Sequence, residues 1–279
     1  MPRVSNYIQP SPYYGGKQRM LVYIFDLIRQ RPHRKYIETF AGMASVYFNK
    51  PKAMVNVLND ANPEIENFYR QLKTNTEELN KLIQGSLHSE RLHNWACQVY
   101  KNPDSHSPLI RAYAFWIATI QSFGASTGQG FQWVCNKTDN WTPAVKIHNR
   151  KKQILECAIK LENCTLLNKD AVELIEKVDT ADTLYYQDPP YVGARQGHYE
   201  GYKQEHFNNL LDVNATMKGD FILSSYPNSY LDEMTVKHGW KSEKFKKRKG
   251  VGTGYKHEVL TWNFDAELSQ TKSIQKAIF

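Results

Sequence analysis

The sequence predicts an α/β fold: an open Rossmann-like sheet interrupted by an inserted, mostly helical segment that carries a β-hairpin. Short apolar runs alternate with helical periodicity, the pattern of a mainly parallel sheet with crossover helices. Small-residue turns and acids stand where those runs end, at Phe40–Ser45, Asn59-Asp60 and Asp188. About 105 residues separate Leu58 from Cys164, far more than a crossover needs, so a further unit is inserted there. The predicted division is a sheet domain over 1–75 and 162–266, an insert over 76–161, and a C-terminal tail over 267–279.

Composition narrows the function classes. The chain has 279 residues, 41% hydrophobic and 13% aromatic, enough for a packed core. No apolar run approaches the length of a membrane span and the N-terminus lacks a signal-peptide core, so no membrane partner is expected. Four cysteines without a CxxC pair argue against zinc and for reduced thiols in a cytoplasm. The net charge of +8 is uneven: residues 81–160 hold ten Lys/Arg against four Asp/Glu, and 241–256 hold seven against one. Two basic segments on a near-neutral body form a polyanion footprint, as for nucleic acid.

Along the chain, Pro10–Met20 is a loop opening a helix over Gln18–Arg31, with Leu21, Ile24, Phe25 and Ile28 on one face. Gly15-Gly16 lets backbone approach a ligand, and Lys17 sets a cation beside it; the Walker pattern is absent. Lys35–Thr39 reads as a strand, followed by the turn Phe40–Ser45 and a short helical run, Val46–Phe48. Ala53–Leu58 is a second strand, ending at Asn59-Asp60 about 20 residues past the glycine turn, where dinucleotide folds place an acid on ribose hydroxyls. Asn62-Pro63 starts a helix that buries Ile65, Phe68, Tyr69 and Leu72.

The insert begins with helices over Glu77–Gln84, Ser89–Lys101 and Ser107–Gln121. A Gly/Ser/Thr/Asn/Trp-rich stretch over 123–148 follows, with a candidate strand at Phe131–Val134 and a turn at Thr138–Asn140. Arg150-Lys151-Lys152 opens the helix that returns to the sheet, and Cys164–Asn168 is the next strand. Beyond Asp188 come a glycine-rich loop over 192–201, a helix over Lys203–Met217, a strand at Phe221–Ser224, a basic strand or loop at Trp240–Lys249, a final strand at His257–Phe264 and a polar tail.

The stretch Tyr185-Tyr186-Gln187-Asp188-Pro189-Pro190-Tyr191 organises these elements. Thr183–Tyr186 is a buried strand, and two adjacent prolines force the chain out of the sheet in a stiff geometry. A carboxylate, prolyl carbonyls and a ring at a strand's carboxyl end suit a planar group bearing an amino substituent. Taken alone, the same residues are equally a strand ending in a tight turn.

In order, Tyr14-Gly15-Gly16-Lys17, Phe40-Ala41-Gly42, Asn59-Asp60 and Asp188-Pro189-Pro190-Tyr191 resemble the Dam-type, class alpha DNA adenine-N6 methyltransferases, over roughly residues 10–264. The starts Asn59–Pro63 with Tyr69, and the late run Lys256–Leu260, also look like this family. One departure is Ala44, where the family's turn commonly has a second glycine.

The resemblance implies a Rossmann-like methyltransferase sheet with an inserted target-recognition domain, working on S-adenosyl-L-methionine and releasing S-adenosyl-L-homocysteine. It implies that Tyr14, Lys17, Glu38, Phe40, Ala41, Gly42, Asp60, Asp170 and Ala171 hold the cofactor, and that Asp188, Pro189, Pro190 and Tyr191 hold a flipped-out target base. Arg111, Ser126, Thr127, Gln132, Lys137, Asn140, Arg150, Lys151, Lys152, Arg195, Lys247 and Arg248 are the expected DNA contacts. No residues have metal-ligand spacing, and direct transfer requires no metal. The implied partner is double-stranded DNA, met by a monomer able to pair on DNA, in the cytoplasm of a bacterial cell or, if phage-encoded, of its host. Both adenine and cytosine carry an exocyclic amino group; the acidic Asp188 resembles the adenine-directed motif. Cytosine N4, RNA, and a catalytically inactive DNA-binding module stand as alternatives.

Overall fold

The computed structural model describes residues 7–133, 142–192, 201–248 and 255–269, with backbone alone at Lys247, Arg248 and Lys256. At its centre is a seven-stranded sheet of order β3-β2-β1-β4-β5-β7-β6. The strands are β1 (Lys35–Glu38), β2 (Val55–Asn59), β3 (Cys164–Leu167), β4 (Thr183–Gln187), β5 (Asp220–Ser225), β6 (Lys241–Arg248) and β7 (Tyr255–Trp262). β1 to β5 run parallel, and β7 is antiparallel to both of its neighbours.

Side chains alternate across the sheet as strand geometry requires. Tyr36, Leu58, Tyr186 and Ile222 face one core. Ile37, Tyr185, Phe221 and Leu223 face the other. β4 is buried at every residue, as expected of a central parallel strand covered on both faces.

The first core joins the sheet to α1 (Leu21–Gln30), α2 (Pro63–Thr74) and the inserted helices α3 (Thr76–Gly85), α4 (Glu90–Lys101), α5 (Pro108–Gln121), α6 (Pro143–Lys151) and α7 (Ile154–Lys160). α5 is buried without interruption from Ala112 to Gln121, so it is the hub of the insert. Its Trp116 indole donates to the Pro10 carbonyl at 2.8 Å, fixing the N-terminal segment over the sheet. The second core is closed by α8 (Ala171–Val178), α9 (Gln204–Thr216) and α10 (Ser229–His238).

Several elements differ from the sequence expectation. Val46–Phe48 forms turns rather than a helix: Asn49 bonds back to Ser45 and to Ile8, and Pro51 ends the segment. Arg150-Lys151-Lys152 leads into the returning helix, α7, which begins at Ile154, but it also closes another: α6 starts at Pro143 under a Thr142 cap, and Arg150 and Lys151 stand in its last turn. α8 and α10, which the sequence reading left unassigned, are capped by Asp170 and Asn228. The basic Trp240–Lys249 segment is strand β6. The start of the expected polar tail is docked on α1: the Glu267 N–H donates to Gln30 at 3.3 Å and the Ser269 N–H to Asp26 at 2.8 Å. In the expected hairpin, Phe131 makes an antiparallel bridge to Ser122; its turn at Thr138–Asn140 lies outside the described residues.

Candidate active site

The strand order reverses between β1 and β4, and ligands of open α/β sheets bind at such a point. A cleft of about 1690 Å³ opens there, larger than the roughly 300–1,000 Å³ of a single-ligand pocket. Its walls include Tyr14, Lys17, Phe40 to Ser45, Asp60, Asp170, Ala171 and Asp188 to Tyr191.

Asparagine side chains stitch together the strand ends beneath it. Asn59 donates to the carbonyls of Thr39 and Lys169 at 3.0 Å and accepts from the Lys169 N–H. Asn168 donates to the Asp60 carbonyl at 2.7 Å. The turn after β1 is thereby held against the ends of β2 and β3.

Asp60 is buried, and its carboxylate accepts from the N–H groups of Gly42 and Asn62, each at 2.9 Å. Burial lifts its pKa to about 6, against the pull of those two donors. Gly42 needs its missing side chain: φ is +48°, and a Cβ would lie 2.9 Å from a Tyr13 ring carbon. Ala44 also has a positive φ, +46°, so the family's usual glycine conformation is kept with a methyl attached. Asp170 caps α8 through the N–H groups of Val172 and Glu173. Across the cleft, Phe40 meets Tyr202 edge-on at 6.2 Å, and Tyr202 stacks with His206.

Glu38 does not line the cleft. Alternation along β1 puts it on the face of Tyr36, whose hydroxyl donates to it at 2.9 Å. Burial lifts its carboxyl to about 8, with Tyr36, the Tyr47 backbone and Lys50 opposing. It supports the Phe40–Ser45 turn from one layer below.

Lys17 lies on the cleft wall, beside the Asp188–Tyr191 turn. Its side chain is 2% exposed, and its ammonium lies 2.7 Å from Asp188 Oδ2 and 3.3 Å from Glu258 Oε1. It donates to the Gly15 carbonyl and sits 4.9 Å from the centre of the Tyr191 ring. Burial works against the charge, but Asp188 and Glu258 together hold the ammonium above the usual lysine range. Burial raises the Asp188 carboxyl; Lys17 opposes and Glu258 adds to the rise. Tyr191 donates its hydroxyl to Glu258 Oε1 at 2.9 Å, lies 3.0 Å from Ser224 Oγ, and leans on Tyr226 at 4.3 Å. Tyr13, Tyr202, Ser224, Tyr226 and Glu258 received no role from the sequence. For Glu258 the signal was present in the Lys256–Leu260 run.

The expected DNA contacts divide. Arg111 forms a two-pronged ion pair with Glu64. Arg150 donates to the Gln9 carbonyl and Gln153, and covers the Tyr7 ring at 5.1 Å. The Lys151 ammonium sits on the carbonyls of Gln84 and Ser86 at 2.8 and 2.6 Å. These three cations each have partners within the fold. Ser126 and Thr127 are buried, with Ser126 on the cleft wall. The Gln132 carbonyl contacts His88, and Lys152 is exposed. Lys137, Asn140 and Arg195 lie outside the described residues, as do the side chains of Lys247 and Arg248. Among the described residues, no group of three or more His, Cys, Asp or Glu could hold a metal, and no helix is long and apolar enough to cross a membrane.

The model of the D12 class N6 adenine-specific DNA methyltransferase family matches residues 13–251. The Type II methyltransferase M1.LlaDCHI of Lactococcus lactis subsp. cremoris is 23% identical over 273 residues, covering 90% of this chain and 93% of that protein. Among solved structures, precorrin-6y C5,15-methyltransferase from Geobacter metallireducens GS-15 is similar with a TM-score of 0.41 and 11% identity, over 95% of this chain and 94% of that one. The 23S rRNA methyltransferase ErmE is similar with a TM-score of 0.37 and 8% identity, over 95% and 75%.

Proposed function

The chain belongs to the D12 class N6 adenine-specific DNA methyltransferases, and from that premise we propose that its cleft seats S-adenosyl-L-methionine beside an adenine flipped out of duplex DNA. The observation that carries this reading is the meeting, in one cleft, of the Gly42 turn with Asp60 and of Asp188 with Tyr191.

The cofactor fits the residues present. The Gly42 turn lies on the cleft wall with the Tyr13 ring packed against it, and Asp60 keeps lone pairs beyond its two backbone bonds. The Tyr202 hydroxyl is buried without a partner among the described residues, on the wall facing Asp170. Tyr14, Phe40, Ala41, Gly42, Asp60, Asp170 and Ala171 would hold the group. When bound, it supplies an electrophilic methyl on a sulfonium.

The chain's own residues do the rest. Flipping a base costs a few kcal/mol, and stacking on Tyr191 returns about 1–3 kcal/mol. Lys17 occupies Asp188 Oδ2, so Oδ1 is the oxygen turned to the target. Asp188 Oδ1 and the Pro189 carbonyl accept the two amino hydrogens, which frees the nitrogen lone pair from the ring. The proton that must leave the nitrogen passes to Asp188, whose basicity burial has raised. Catalysis is by positioning and fixed charge, without a metal, and S-adenosyl-L-homocysteine is the by-product.

We assign target reading to the insert, 76–161, and place the enzyme in the cytoplasm, as a monomer that can pair on DNA. The insert's basic excess and the cytoplasmic place of its substrate support these assignments. The test is to incubate the protein with labelled S-adenosyl-L-methionine and mixed-sequence duplex DNA, digest to nucleosides, and identify the product by mass. N6-methyladenine is expected. N4-methylcytosine would overturn the target base, and label in RNA alone would overturn the partner.

A further inference from the structure

Glu258 has no part in the roles above, yet it is the meeting point of the groups that do. It is 1% exposed and lies on the cleft wall. Its Oε1 accepts the Tyr191 hydroxyl at 2.9 Å and lies 3.3 Å from the Lys17 ammonium. The Ser224 hydroxyl, at 3.4 Å, completes the group from the neighbouring strand.

A buried carboxylate is costly to keep without partners, so its placement calls for a reason. Holding the sheet together is not that reason. β7 is already fixed by backbone pairing, from Ile222↔Trp262 to Ser225↔Val259 on one side and along the whole of β6 on the other. Glu258 stands just past the last β5 pair, where β7 passes under the Asp188–Tyr191 turn.

We propose that Glu258 is a positioning residue, which fixes the Tyr191 hydroxyl and draws the Lys17 ammonium to one side, so that the ring faces the base and Asp188 keeps one oxygen for the amino group. The proposal rests on the reading of the cleft given above. Two consequences follow from the geometry. Without Glu258, the Lys17 ammonium has only Asp188 as a charged partner and is drawn across both of its oxygens, taking the acceptor that the amino group uses. Without Glu258, the Tyr191 hydroxyl also loses its 2.9 Å acceptor and is left to bond Asp188, competing with the amino group for the same carboxylate. Both consequences reduce turnover more than they reduce binding of DNA.

The test is a double-mutant cycle on turnover at saturating cofactor and DNA, with Glu258→Gln, Tyr191→Phe and the pair. Hydrogen bonds to a charged group are worth roughly 10–100-fold in an equilibrium, so Glu258→Gln is expected to lower kcat by about that factor, with less than about a threefold change in KM for DNA. Tyr191→Phe keeps the stacking ring and loses the hydroxyl. If Glu258 acts through that hydroxyl, the pair loses clearly less than the product of the two single losses. Turnover of Glu258→Gln within about twofold of wild type overturns the proposal, as do strictly multiplicative losses. If Glu258→Gln does not fold, Glu258→Asp keeps the charge and withdraws the carboxylate by one methylene: lost turnover at an unchanged melting temperature supports positioning, and full turnover overturns it. Wild-type protein run alongside separates the two levels. No N6-methyladenine from wild type removes the cleft reading and the proposal with it, whereas an active wild type with an unaffected Glu258→Gln removes the proposal alone.

Discussion

The Lys17 ammonium lies 2.7 Å from the Asp188 carboxylate, inside the cleft and out of water. The N-terminal motif thus neutralises the residue expected to act on the target amino group. Lys17→Met is predicted to leave Asp188 buried beside Glu258 with no cation. Removing one partner of a buried pair costs about 3–5 kcal/mol, and the melting temperature should fall accordingly. Because Lys17 lowers the Asp188 pKa, its loss should also move the acid limb of the pH–rate profile to higher pH. An unmoved acid limb would remove Asp188 from the rate-determining ionisation.

Asp188→Asn should abolish methyl transfer while cofactor binding survives, since the Gly42 turn and Asp60 lie on the far side of the cleft. Calorimetry with the cofactor and the nucleoside assay check the two halves separately.

Asp60→Asn should weaken the cofactor by tenfold or more and leave DNA binding intact. The carboxylate holds the Gly42 N–H as well as offering lone pairs to hydroxyls, so both are disturbed. Its pKa of about 6 adds a signature: wild-type cofactor affinity should rise as pH climbs through about 6, and the variant should show no such rise.

At Ala44 the positive φ of +46° opposes the usual cost of trimming a buried methyl. A left-handed L-residue is strained by roughly 1–2 kcal/mol, against about 0.8 kcal/mol for a buried methyl group and about 0.4–1 kcal/mol of added unfolded-chain entropy. Ala44→Gly should therefore change stability by less than about 1 kcal/mol, while a branched side chain, Ala44→Val, should lose more than about 2 kcal/mol. Chemical denaturation measures both.

Glu38 gives a pH test of the fold. Its pKa is raised to about 8, so the neutral carboxyl contributes stability at low pH, and that contribution is lost as pH rises through about 8. Glu38→Gln should flatten the decline in melting temperature between about pH 4.5 and 8. A variant that follows the wild-type curve would show that Lys50 or another group carries it.

What was legible follows from how local each signal is. β1 and β4 could be read because an apolar run, a turn and an unusual dipeptide sit together, and Asn59-Asp60 because it ends an apolar run about 20 residues past the glycine turn. For Arg150 and Lys151 the sequence shows only charge; packing alone shows that Arg150 lies over Tyr7 and that Lys151 reaches the end of α3. Glu258 acts 67 residues from Tyr191, and only the antiparallel insertion of β7 brings them together. α8 and α10 are short, so their periodicity is weak, although the caps Asp170 and Asn228 and the left-handed Gly239 mark their ends.

The position of Glu258 on β7 has a consequence for a chain emerging from the ribosome. Lys17 is made before Asp188, and Glu258 after both. A nascent chain that has folded β1 to β5 already holds the ammonium and one carboxylate, yet lacks the second carboxylate and the docked segment that follows β7. The active site is therefore finished only once β7 has been made and inserted, and a product truncated before β7 would carry every residue proposed for the cofactor without the complete apparatus for the base.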